Sequence, residues 1–172
     1  MDFDVKEANI KRELCEILSE RFDYVLMNVK HNFGHEKDVF IMFTPDGDIV
    51  VVNVEEKRII GIEVKGYRTF KGKMRRANVY EAIGEALMYL VNPYFEIDGR
   101  WLQGCIFDEV WLCYPFKKDF EDIIKVVSLT PIGLLSAYEG LVRAPKPNPF
   151  VNEKFKEVFI KNIDTLEPYY FR

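Results

Sequence analysis

The chain has 172 residues, with 28 acidic against 24 basic side chains and a formal net charge of −4 at neutral pH. Apolar residues make up 48% of it and aromatics 15%, which excludes a disordered chain and leaves ample material for a core. Cys15, Cys105 and Cys113, an odd set dispersed without CxxC spacing, fit buried free thiols in a reducing cytoplasm better than a disulfide framework. The start, Met-Asp-Phe-Asp-Val-Lys, lacks the basic-then-apolar pattern of a signal peptide. No uncharged apolar run approaches the ~18 residues that span a bilayer, so a cytoplasmic protein with no membrane partner is expected.

In chain order, residues 4–22 read as an amphipathic helix with Ile10, Leu14, Ile17 and Leu18 as its apolar stripe. Residues 24–29 give a first strand, 31–35 a loop, and 38–43 a strong strand, with Pro45 and Gly47 marking a turn. Two apolar runs follow, 48–54 and 59–65, joined by a tight turn into a hairpin that completes an antiparallel meander. Residues 78–91 are helical, with Val79, Ile83, Ala86, Leu87 and Leu90 inward and Asn92-Pro93 as the stop. Residues 94–103 look irregular. A buried strand over 109–114, a short helix over 120–127 and a strand over 133–138 come next. The prolines of 145–149 stiffen an extended stretch, and Asn152 caps a last helix with Phe155, Val158 and Phe159 inward. This order predicts an α/β sandwich: a mixed central sheet with an antiparallel meander, flanked by helices.

The hairpin carries the chemistry. Folding at residues 55–58 pairs Val54 with Ile59 and sets Asp48 opposite Lys65, one diagonal step from Glu63. Side chains alternate with period two, so Asp48, Glu63 and Lys65 share one face at one end. Two carboxylates gathered there repel each other and lose hydration, a conflict that a divalent cation resolves. A plain ion-pair network around Lys65 is the competing explanation. From residue 64 to 80 six basic residues occur (Lys65, Arg68, Lys71, Lys73, Arg75 and Arg76) and no acidic one. Gly66, Tyr67, Phe70 and Gly72 interleave with them. Beside an acidic cluster this segment suits a phosphate backbone, with Tyr67 and Phe70 as stacking residues.

Asp48…Glu63-Val64-Lys65, between a helix before the meander and another after it, resembles the PD-(D/E)XK nuclease superfamily. Archaeal Holliday-junction resolvases, restriction endonucleases and RecB-like nucleases belong to it. The resemblance runs over residues 7–138, and Gly66 and the apolar strand before Glu63 add to its specificity. Tyr80-Glu-Ala-Ile-Gly-Glu-Ala-Leu-Met-Tyr89 looks like the Gln-x-x-x-Tyr helix of RecB-like members, with Glu85 in place of the glutamine. Glu85 and Tyr89 are therefore weaker candidates. The resemblance implies a restriction-endonuclease-like fold over residues 1–150, with 151–172 as a helical appendage packed on it. It implies Asp48, Glu63 and the Val64 carbonyl as holders of Mg²⁺ or Mn²⁺, and Lys65 as the group that orients water or stabilises negative charge. The basic segment would hold DNA, duplex or branched, and a homodimer is an arrangement the family uses. A nucleic-acid-binding or assembly module without turnover is the alternative.

Other acids compete. Turning the chain at 44–47 pairs Phe43 with Asp48 and leaves Asp38 level with Asn53, roughly 17 Å from Asp48 at ~3.3 Å per residue. Asp46 shares the parity of Asp48 but belongs to the turn, and is the fallback. Many members of the family carry a glutamate on the first helix. At 100° per residue Glu7 falls near the centre of the apolar stripe, with Glu13 at its edge and Glu16 on its back. Glu7 is either aimed at the cation or favoured by the positive helix N-terminus in solvent. His31 and His35 read as loop residues rather than ligands.

Overall fold

The computed structural model describes residues 7–30, 38–66, 69–70, 73–74, 76–115, 120–137 and 139–172, and between 69 and 78 its backbone alone. Helix α1 (Glu7–Ser19) leads into β1 (Tyr24–Val29), β2 (Val39–Met42), β3 (Gly47–Asn53) and β4 (Arg58–Val64). A short ribbon, β5 (Thr69–Phe70) and β6 (Lys73–Met74), precedes α2 (Arg76–Tyr89). Then come β7 (Tyr94–Ile97), β8 (Arg100–Gln103), β9 (Glu109–Tyr114), α3 (Glu121–Val127), β10 (Gly133–Ser136) and β11 (Gly140–Arg143). Helix α4 (Glu153–Lys161) and a 3₁₀ segment, Ile163–Tyr169, close the chain. The protein is α/β. Its main sheet has six strands in the order β1-β3-β4-β9-β10-β11, and a separate antiparallel sheet has the order β2-β7-β8.

The main sheet is mixed. β1, β3 and β4 pair antiparallel in turn, β4, β9 and β10 pair parallel through connections that carry α2 and α3, and β11 returns antiparallel beside β10. Because side chains alternate, one sheet face gives Val50, Val52, Ile59, Val110 and Leu112 to the larger core, with Tyr89, Phe107 and Phe159. The other face gives Ile49, Val51, Ile60, Ile62 and Val64 to a smaller core under α1, with Ile10 and Cys15. Phe159, Ile163 and Leu166 are buried in the larger core, and the Phe171 amide donates to Val25 O at 2.8 Å. A bridge between Leu26 and Tyr170 covers the open edge of β1.

Several expectations need correction. The strand over 38–43 does not join the meander. β2 pairs with β7 instead, and β1 takes the place beside β3. The level set for Asp38 beside Asn53 therefore does not exist; Asp38 lies by Glu96 and Asp98 at the tip of the small sheet. Residues 94–103 are no irregular stretch but the hairpin β7–β8. Asp98 and Gly99 both take positive φ (51° and 72°), the turn an Asp-Gly pair favours between two strands. The 133–138 strand ends at Ser136 and is followed by β11, which pairs back on it. In α1 the stripe is rotated, so Lys11 and Cys15 are buried while Ile17 is 55% exposed.

The β3–β4 register also differs. Asn53 pairs with Arg58, not Val54 with Ile59, because the turn occupies residues 54–57. The Asn53 side chain accepts from the Glu56 amide at 2.9 Å, and Lys57 takes φ +50°. Moving the turn by one residue shifts the pairing by two, which preserves the face each side chain occupies. Asp48 now stands opposite Glu63.

Gly61 shapes the face beneath this pair. A Cβ there would lie 2.9 Å from the Tyr89 ring and 3.1 Å from Phe107, whose rings stack at 5.7 Å between centroids. Gly61→Ala is expected to lower unfolding free energy by about 1–3 kcal/mol through overpacking, read from urea denaturation. An unchanged midpoint would contradict this packing.

Candidate active site

The site forms where β4 and its parallel neighbour β9 end, the end at which open α/β sheets gather ligand-binding residues. Asp48, near the start of β3, and Glu63, near the end of β4, are brought side by side by the antiparallel register. Glu63 is 2% exposed. Asp48 Oδ2 accepts from the Val64 amide at 2.8 Å. Along a strand the N–H and C=O of one residue point to the same edge, so the Val64 carbonyl also opens toward β3. The Lys65 amide donates to Cys113 O at 2.9 Å, which fixes the strand end on β9.

Lys65 Nζ lies 2.9 Å from Glu63 Oε1 and 2.5 Å from Glu85 Oε2. Glu85 and Tyr89 come from α2 one turn apart, so both reach this end of the sheet. The Tyr89 hydroxyl donates to Asp46 O at 2.8 Å and accepts from the Asp48 amide at 2.9 Å. It thereby clamps the backbone on which Asp48 sits. The end of α2 adds a second clamp, because Asn92 accepts from the Thr44 amide and donates to Pro45 O, both at 3.1 Å.

Helix α1 closes the site from the other face. Gly66 permits this: a Cβ there would overlap the backbone of Glu7. Glu7 is at the site, while Glu13 and Glu16 are exposed on the helix. Glu7 Oε1 does not reach Asp48 directly. It holds Lys11 Nζ at 2.9 Å, and Lys11 in turn contacts Asp48 Oδ1 at 2.6 Å and Asn28 Oδ1 at 3.0 Å. Lys11 and Asn28 were missed by the sequence reading. The signal was present: Lys11 is i+4 from Glu7 on the same helix face.

Thus Asp48, Glu63, Val64, Lys65, Glu7, Asp46, Glu85 and Tyr89 converge, Asp46 through its carbonyl. Arg68, Lys71, Arg75, His31, His35 and Tyr67 lie outside the described residues. Lys73 opens β6 and Arg76 opens α2, both described by backbone alone. Among the described residues no three His, Cys, Asp or Glu side chains stand together as a cage for an ion. The oxygen donors at the sheet end are the Asp48 and Glu63 carboxylates and the Val64 carbonyl, a small hard set that fits Mg²⁺ or Mn²⁺ with waters completing the shell.

Electrostatics mark the same place. Burial, the hydrogen bond to Glu85 and the charge of Asp48 push the Glu63 carboxyl up to about 9, against the pull of Lys65. Burial also raises Asp48, although Lys11 and the Val64 amide oppose it. Desolvation would lower Lys65, but Glu85 and Glu63 outweigh it and hold the ammonium charged. Burial, with Glu63 and Asp48 nearby, keeps the Tyr89 hydroxyl protonated.

Comparison of the chain with protein-family models, with characterised proteins and with solved structures finds no match in any of the three. Among the described residues no helix is long and apolar enough to cross a membrane.

The raised Glu63 has a consequence for stability. The folded state keeps a proton that the unfolded chain sheds near 4.5, so stability is full below that pH and falls as pH rises toward about 9. Asp48, also raised, acts in the same sense. Thermal unfolding of the chelator-treated protein is expected to show Tm declining from about pH 5 to pH 9, with Glu63→Gln flattening the decline. A Tm that rises over this range would show that Glu63 is ionised in the folded state.

Proposed function

We propose that the protein is a metal-dependent nuclease of the PD-(D/E)XK superfamily, hydrolysing DNA phosphodiester bonds with Mg²⁺ or Mn²⁺ on a restriction-endonuclease-like fold. The observation that carries this reading is the opposition of Asp48 and Glu63 at paired strand ends, with Lys65 following on the same face. The Glu-Val-Lys strand end, the preceding apolar strand and the α1 and α2 helices that flank them agree with the family pattern. Asp48, Glu63 and the Val64 carbonyl would hold the cation. When bound, that cation supplies Lewis acidity toward the scissile phosphate and toward water.

The chain's own groups do the rest. Lys65, held charged by Glu63 and Glu85, carries an ammonium that can orient the attacking water or stabilise charge developing on the phosphate. Glu85 fixes that ammonium from α2, a positioning role for the residue that replaces the family's glutamine. Tyr89 keeps the Asp46–Asp48 backbone in place from beneath. Arg68, Lys71, Lys73, Arg75 and Arg76 follow immediately in sequence and would contact the phosphates of duplex or branched DNA, setting register rather than sequence. Cys15 and Cys113, buried free thiols, accord with a cytoplasmic location. A homodimer would place two such sites for the two strands of a duplex.

A nucleic-acid-binding module without turnover is a second reading. The ammonium groups already seated on the two proposed ligands, Lys11 on Asp48 and Lys65 on Glu63, favour it.

A panel of plasmid, linear duplex, single strand and four-way junction discriminates the two. With Mg²⁺ or Mn²⁺ the wild type is expected to cut at least one substrate, EDTA to stop it, and Asp48→Ala or Lys65→Ala to cost about 10²-fold or more in rate. Salt-sensitive binding without cleavage would establish the second reading in place of the first.

A further inference from the structure

Lys11 lies inside the acidic end of the sheet rather than on the wet face of its helix, and is only 8% exposed. Its Nζ stands 2.6 Å from Asp48 Oδ1, 2.9 Å from Glu7 Oε1 and 3.0 Å from Asn28 Oδ1. Three oxygens from α1, β1 and β3 thus converge on one ammonium, and an ammonium has three N–H groups to give. Two carboxylate oxygens and one amide oxygen are a set that a small hard cation takes, and of the four residues only Lys11 is buried, with Asn28 exposed and Glu7 part-exposed. A divalent ion placed between Glu7 and Asp48 would stand against Nζ, and two positive charges at that distance repel at a part-buried site.

The inference rests on reading Asp48 and Glu63 as a cation site. We propose that Lys11 is a built-in cation filling the place between Glu7 and Asp48, so that each chain takes one divalent ion, at Asp48 and Glu63. Glu7 then acts only through Lys11, as a positioning residue for Asp48.

Lys156 provides an internal control. Among the described residues it is the other buried lysine in an ion pair, 2.7 Å from Asp108, whose carboxylate also accepts from the Ile59 amide at the opposite end of β4. Lys156→Met removes a buried ion pair without touching the proposed site.

The test is calorimetric titration of Mn²⁺ into the chelator-treated full chain, without DNA. One ion per chain is expected for wild type, for Lys156→Met and for Glu7→Gln, and two for Lys11→Met, with methionine keeping the length of the side chain. Mn²⁺ should also raise the Tm of Lys11→Met more than that of wild type, a rescue that a merely structural ion pair does not give. Two ions in wild type would overturn the proposal, as would one ion in a folded Lys11→Met with no added gain in Tm. Should Lys11→Met fail to fold, Glu7→Gln decides: loss of its ion would make Glu7 a direct ligand and overturn the proposal. No ion in wild type but one in Lys11→Met would remove the nuclease reading while leaving Lys11 as the internal cation. No ion in any form would remove both.

Discussion

The site depends on the enforced proximity of two carboxyl groups, the buried Glu63 and the part-buried Asp48. Antiparallel pairing of β3 with β4 puts them side by side, and Glu63 has almost no access to solvent. Burial favours the neutral acid in both, with the hydrogen bond to Glu85 and the charge of Asp48 adding to it at Glu63 and the charge of Glu7 adding to it at Asp48. The surrounding groups answer that conflict. Lys11 and the Val64 amide support Asp48; Lys65 supports Glu63 and ties it to Glu85. Replacing a buried ion pair by well-packed apolar residues is often neutral or stabilising by about 1–4 kcal/mol, so stability alone gives no reason to keep such an assembly.

The fold explains why the conflict is stable enough to persist. Apolar strands β3 and β4 are buried on both faces, so their register is pinned by two cores at once. Tyr89 passes through the space left by Gly61 and holds the turn backbone before Asp48. Asn92 holds the same turn two residues earlier. Gly66 lets the start of α1 lie against the end of β4, bringing Glu7 and Lys11 over the sheet edge. The charged groups therefore rest on helices and strands, while Thr69–Phe70 and Lys73–Met74 pair as a separate short ribbon, β5–β6, outside the main sheet.

Much of this was readable from residues alone, for identifiable reasons. The shared face of Asp48, Glu63 and Lys65 survived an error in the turn, because parity is unchanged by a shift of two. The partner directly opposite Asp48 did not survive it, since local turn chemistry at Asn53 decides that and the apolar pattern does not. β2 was assigned to the wrong sheet because a strand's partner is set by packing across the molecule; Phe40 stacks edge-on against Trp101 of β8. The β7–β8 hairpin has a local signal in Asp98-Gly99. Lys11 has a fainter one, because a lysine on a helix reads as solvated and only its place beside Glu7 points to a buried role.

We propose that the Asp48–Glu63 pair exchanges a proton for a divalent ion. It is tested most directly by calorimetric titration of Mn²⁺ at pH 7.5 in buffers of different ionisation enthalpy, which counts the protons released on binding. Release of about one proton per ion is expected, because a carboxyl held near 9 must ionise to become a ligand. Binding with no proton release would contradict the raised Glu63, and absence of binding would contradict the cation site itself.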